Sequence, residues 1–127
     1  VCGVPITDML RYHRFGVAEF WVPEYGCAED PEQFKFLYAY SPYHRVKSGQ
    51  AYPATLILTA DEDARVDPLH ARKFAARLQA AQQGRHPILL RSESQAGHGA
   101  GKPIARLVDQ HADELAFLFR ELGVKCG

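Results

Sequence analysis

The second half of this sequence predicts an α/β fold, with parallel strands alternating with helices, on three observations. Ala54 to Ala60 (ATLILTA) is a continuous apolar and β-branched run, the composition of a strand buried on both faces. Pro87 to Leu90 (PILL) is a second short apolar run of the same kind. A helical pattern follows each of them. Asp67-Pro68 opens the first helix, Phe74, Leu78 and Ala81 fall along one face, and Gly84 is placed to close it. In the second, Ile104, Leu107, Val108, Leu115, Leu118 and Leu122 recur at spacings of three and four. Strand, helix, strand, helix implies a parallel sheet with helices on its faces.

The first half is less regular. Val1 to Ile6 is short and apolar, interrupted by Gly3 and Pro5, and suits the tail of a strand. Thr7 to Phe20 mixes apolar and aromatic residues without a clean period. Asp30-Pro31 is a helix start, an N-cap acceptor followed by a residue with a preset φ. The helix runs over Glu32 to Tyr40 and stops at Ser41-Pro42, since the residue before proline avoids the helical region.

Composition narrows the function classes. The 127 residues are 46% hydrophobic and 24% charged, as in an ordinary globular chain. Fifteen basic residues balance fifteen acidic ones, so no nucleic-acid partner is expected. No apolar run approaches the roughly 20 residues that cross a bilayer, so no membrane partner is expected either. Cys2, Cys27 and Cys126 are far apart and form no CxxC pair. That argues against a disulfide framework or a zinc site and for a reducing, cytoplasmic setting. The chain opens on Val1 in an apolar stretch, as a cut through a longer protein would, which leaves a periplasmic or secreted setting open.

In parallel sheets ligands sit beyond the carboxyl ends of the strands. Beyond the first strand stands Asp61-Glu62-Asp63-Ala64-Arg65-Val66; beyond the second stands Ala96-Gly97-His98-Gly99-Ala100-Gly101. An acid at one strand end and a histidine at the next is the later half of a Ser, Asp, His order, the order of α/β-hydrolases. The acid fixes the imidazole tautomer and stabilises the imidazolium. Glycines on both sides of His98 suit a histidine that must reach a nucleophile on another strand. The same acids would also serve to solvate a loop or cap a helix, and His98 is one of six histidines. Ser41, Ser48, Ser92 and Ser94 lie outside any GxSxG elbow, so these residues carry no candidate nucleophile.

Several stretches resemble the prolyl oligopeptidase family over nearly the whole chain and in the family's order. They are Thr-Asp-Met-Leu-Arg-Tyr-His at 7–13, Trp-Val-Pro-Glu-Tyr-Gly-Cys at 21–27, Tyr-Pro-Ala-Thr-Leu-Ile-Leu-Thr-Ala-Asp at 52–61, Asp-Ala-Arg-Val at 63–66, and Ala-Gly-His-Gly-Ala-Gly-Lys-Pro at 96–103. The resemblance implies an α/β-hydrolase fold, of which residues 1–127 are an incomplete, C-terminal portion of the catalytic domain. It implies that Asp63 and His98 are the triad acid and base. Trp21 matches the indole that stacks on the substrate proline, Tyr25 and Val66 match walls of the same pocket, and Ile6 matches a further apolar pocket position. Arg65 matches the arginine that binds a substrate carbonyl. An indole face and an apolar wall suit a flat prolyl ring, and a guanidinium fork suits a carbonyl.

The expected activity is that of a serine endopeptidase cleaving short peptides after proline, with neither cofactor nor metal. The family's serine, oxyanion donors and β-propeller have no counterpart in the 127 residues and are expected in a missing N-terminal part. This chain is therefore expected to be inactive alone. Two alternatives stand beside this: a related oligopeptidase of other specificity, and a non-catalytic remnant or interaction domain. Without that family resemblance, ordinary packing would be the preferred role for Trp21 and Tyr25.

Overall fold

The computed structural model describes residues 1–94, 96–99 and 102–125. A three-stranded parallel sheet runs β1-β2-β3, with β1 Cys2–Gly3, β2 Thr55–Ala60 and β3 Ile88–Glu93. Between β1 and β2 lie two 3₁₀ helices, Tyr12–Arg14 and Gly16–Trp21, then α1 Val22–Tyr25, α2 Pro31–Tyr40 and α3 Pro42–Arg45. The helix α4 Leu69–Ala81 links β2 to β3, and α5 Ile104–Leu122 follows β3.

The strand β2 is the centre of the sheet, and its alternation divides the core. Ile57 faces α4 and packs with Ala71, Ala75, Leu78 and Ala81. Leu56 and Leu58 face the opposite way, onto Phe117 of α5. A third cluster, Met9, Tyr12, Ala18 and Leu37, holds the irregular segments before α2. Tyr12 is fully enclosed, donates its hydroxyl to the Gly26 carbonyl at 2.6 Å, and has its pKa pushed by burial to about 12.

The helix start at Asp30 forms as expected: its carboxylate accepts from the Glu32 and Gln33 amides. Two sequence expectations need correction. Asp67 does cap α4, accepting from the Leu69 amide at 2.8 Å, but Gly84 does not close it. The helix stops at Ala81, and the Gln82 carboxamide organises the turn by accepting from Tyr52 and Gly84 amides and donating to the Tyr52 and His86 carbonyls. The strand expected over Pro87 to Leu90 continues to Glu93, because Arg91 and Glu93 neutralise each other at 2.7 Å. The apolar stripe of α5 is largely open: Ile104, Val108, Leu115 and Leu122 are exposed, while Phe117 is the helix's buried residue. Leu56 and Leu58 pack on Phe117, with Ala54 and Leu118 partly buried beside them.

The segment after β1 is tied down by polar groups. Asp8 is buried and accepts from Lys73 at 2.6 Å, Arg11 at 3.1 Å and the Leu10 amide at 3.2 Å. Burial pushes its carboxyl up, but hydrogen bonding and attraction from Lys73, helped by Arg11, hold it below the usual carboxylate range. The Asp8 amide donates to Nδ1 of His70, and burial keeps His70 neutral and able to accept. Ser41 accepts from the Met9 amide and donates to the Thr7 carbonyl. These bonds fix residues 7–9 against α4 and the α2–α3 junction, and so fix Ile6 just before them.

Candidate active site

The loops beyond β2 and β3 are laced together by their backbones. The Asp61 amide donates to the Glu93 carbonyl at 2.9 Å, and the Glu62 amide to the Ala96 carbonyl at 3.0 Å. This register sets Asp63 opposite His98. The Asp63 side chain is wholly buried, and its Oδ1 accepts the amides of Arg65 and Val66, both at 2.9 Å. Its Oδ2 lies 2.8 Å from Nδ1 of His98. A carboxylate only accepts, so Nδ1 carries the proton and Nε2 is left with a free lone pair. The His98 side chain is one-third exposed, so the imidazole is anchored on its inner side and open on its outer one.

Asp61 is placed differently. It accepts from Arg72 at 2.8 Å and from Ser92, bracing the end of β2 against α4 and β3. The sequence offered four acids in this region, and the geometry pairs only Asp63 with the histidine.

A cleft of about 570 Å³ opens beside the imidazole, lined by Ile6, Trp21, Tyr25, Arg65, Val66 and His98. The five residues expected to form a substrate pocket are thus brought together with the expected base. Trp21, Arg65 and His98 also line an adjoining cleft of about 470 Å³, so the indole borders both. Glu24 stands in the first cleft and Glu62 in the second. Trp21 is half-buried, with part of its ring facing the cleft. The Tyr25 ring is held edge-on by Tyr12, with centroids 5.8 Å apart.

Two further residues shape this site and lacked any signal of their own in the sequence. Val4 adopts φ 39°, a conformation costly for a β-branched residue, while its amide donates to the Leu58 carbonyl. It turns the chain out of β1 and into the cleft wall. Gly16 adopts φ 54°, and a Cβ there would lie 2.9 Å from the Ala64 carbonyl oxygen. The helix bearing Trp21 therefore rests on the loop bearing Asp63, backbone against backbone. Gly16→Ala is expected to cost on the order of 1–3 kcal/mol of stability and to raise KM for the cleft's ligand. Thermal denaturation and a KM measurement check this; an unchanged KM would show that the contact does not set the cleft.

Cys2 and Cys27 are free thiols, while Cys126 lies outside the described residues, as do Ala100 and Gly101 of the expected glycine-rich loop. Among the described residues no helix is long and apolar enough to cross a membrane.

The parallel sheet and its flanking helices are those of the α/β-hydrolase fold, here represented in part. Residues 1–125 match the prolyl oligopeptidase family, and the chain belongs to it. It is 48% identical over 124 residues to a prolyl endopeptidase of Elizabethkingia meningoseptica, covering 97% of this chain and 18% of that protein. It is 38% identical over 125 residues to prolyl oligopeptidase A of Amanita bisporigera, covering 98% of this chain and 16% of that protein. Among solved structures, one from a comparison of two prolyl endopeptidases superposes with a TM-score of 0.93 at 50% identity, over 98% of this chain and 18% of that one. Prolyl oligopeptidase B of Galerina marginata, bound to a 35-residue hydrolysis and macrocyclisation substrate, gives 0.92 at 38% identity, over 98% of this chain and 18% of that one. The chain therefore spans less than a fifth of each of these relatives.

Proposed function

We propose that the protein is a serine endopeptidase cleaving short peptides on the carboxyl side of proline. In this reading residues 1–127 are a C-terminal part of its catalytic domain. The observation that carries the reading is the His98–Asp63 pair, 2.8 Å apart, at the edge of a cleft walled by Trp21, Tyr25 and Val66. Nε2 of His98 takes the proton of a serine hydroxyl supplied from outside these 127 residues, and the serine oxygen attacks the carbonyl carbon of the proline itself. The same proton then passes to the leaving amine, and an acyl-serine remains for water to hydrolyse. Buried Asp63 stabilises the imidazolium that exists between those transfers. Trp21, Val66 and Ile6 receive the prolyl ring, and Arg65, exposed at the cleft, binds a carbonyl of the peptide.

The test is a panel of peptides differing only in the residue before the scissile bond, presented to the intact protein. Proline should be preferred over alanine and over arginine. An arginine preference would move the reading to the relatives that cut after basic residues, with Glu24 and Glu62 as the partners of that side chain. The 127 residues alone should show no turnover, since they hold no serine elbow. Proline-directed hydrolysis by the purified chain, stoichiometric with a serine-directed titrant, would overturn that division of labour.

A further inference from the structure

His98 sits in the loop between Glu93, the end of β3, and Ile104, the start of α5. On its upstream side the loop is fixed by the backbone bonds from Asp61 and Glu62. Downstream, the described residues Lys102 and Pro103 lead into α5, where Leu107 is the one apolar residue of the first turn that is half-buried. The buried residue of α5 is Phe117, thirteen positions into the helix, while Ile104 and Val108 near its start are open.

Charge makes the connection. The Glu93 side chain is only 5% exposed and accepts Nη1 of Arg91 at 2.7 Å and Nη1 of Arg106, in the first turn of α5, at 2.8 Å. Arg91 also reaches Asp113 on α5 at 2.7 Å. The Arg91 hydrogen bond, against burial and with help from Arg106, holds the Glu93 carboxyl below its usual range, so it is an anion under working conditions. Glu93 and Arg106 thus join the two ends of the segment that carries the imidazole, one from each side.

We propose that the Glu93–Arg106 ion pair is a positioning clamp for His98, fixing the downstream end of its loop so that the imidazole stays aligned on Asp63. The clamp acts through His98, and it rests on the reading of His98 as the general base. Its parts are separable from folding. Arg91 satisfies Glu93 within β3 whether or not Arg106 is present, and the Arg106 side chain is half exposed. Losing Arg106 removes the bond to the first turn of α5, leaves Arg91–Asp113 further along the helix, and strands no buried charge.

The experiment uses Arg106→Met and Arg106→Lys in the intact protein, with Arg120→Gln at the far end of the same helix as control. Three quantities are read: kcat, KM, and the low-field proton resonance of the His98 Nδ1–H···Asp63 hydrogen bond. Arg106→Met should lower kcat about tenfold, within what small misplacement of a catalytic group causes. KM should change less than about twofold, because the cleft walls are untouched, and the resonance should broaden or move upfield. Arg106→Lys should restore most of kcat, since Glu93 takes a single bond from Arg106 and an ammonium supplies one. Arg120→Gln should leave all three quantities as they are. The clamp is refuted if Arg106→Met keeps wild-type kcat and resonance, even with a lowered denaturation midpoint. It is also refuted if Lys performs no better than Met. His98→Ala separates the two levels: if it stays active the reading of the base fails, whereas an inactive His98→Ala beside a normal Arg106→Met removes the clamp alone.

Discussion

His98→Ala in the intact protein is expected to remove turnover by a factor on the order of 10⁴ to 10⁶, the range for deleting the base of a serine-type triad. Asp63→Asn should cost roughly 10⁴, and the structure gives the reason. Oδ1 of Asp63 accepts two backbone amides, from Arg65 and Val66. In an asparagine that position must stay oxygen, because an NH₂ group there would face two N–H donors. The NH₂ therefore turns toward His98, whose Nδ1 must then accept and whose proton shifts to Nε2. The imidazole is held in place with its working nitrogen already protonated, and it cannot take a proton from a serine. Asp61→Asn should be mild, since Asp61 serves Arg72 and Ser92 and not the imidazole. Steady-state rates on a proline peptide, with active-site concentration fixed by titration, check all three. A silent Asp63→Asn beside a crippling Asp61→Asn would reverse the assignment of the acid.

The sequence showed β2 and the two strand-end loops plainly for a physical reason. A strand buried on both faces has to be continuously apolar, and glycines on both sides of a histidine leave it uncrowded. The parts that stayed hidden depend on groups distant in the chain. Arg91, Ser92 and Glu93 look like loop residues until Arg91 and Glu93 are seen to neutralise each other within β3. Gly16 looks like any turn glycine, and only the Ala64 carbonyl 2.9 Å from its missing Cβ shows what it permits. Asp8 looks like a surface acid in an irregular stretch, yet it is buried because Lys73, 65 residues away, reaches it. On α5 the period-3.6 stripe was correct for a helix and uninformative about burial. Periodicity describes which face is apolar, and the sheet decides how much of that face it covers. The cleft residues became visible through the motifs that surround them. Composition alone leaves Trp21 and Tyr25 as packing aromatics; the resemblance singled them out, and in the structure both line the cleft beside His98.

Trp21→Ala is expected to raise KM for proline peptides by on the order of tenfold to a hundredfold, the loss that goes with about 1–3 kcal/mol of apolar contact. An apolar lining alone discriminates weakly between side chains that differ by a methylene, so selectivity for proline requires a slot with a shape. The indole supplies a flat wall that accepts a planar ring and leaves branched or long side chains poorly packed. Its position is set from two sides, by the Gly16–Ala64 backbone approach and by packing on the cluster around Tyr12. The ring would make the same contact with proline in the bound substrate and in the transition state, since the pyrrolidine does not change as the carbonyl is attacked. Uniform binding of that kind appears in KM and leaves kcat nearly alone. Alanine peptides, which hardly fill the slot, should lose less, so the proline-to-alanine ratio of kcat/KM should fall. Tyr25→Phe should be milder, because the edge-on contact with Tyr12 belongs to the ring and survives loss of the hydroxyl. The measurement is kcat and KM on matched proline and alanine peptides for each variant. If Trp21→Ala lowered kcat with KM unchanged, or weakened both peptides equally, the indole would be a support for the His98 side of the cleft and proline recognition would have to lie elsewhere.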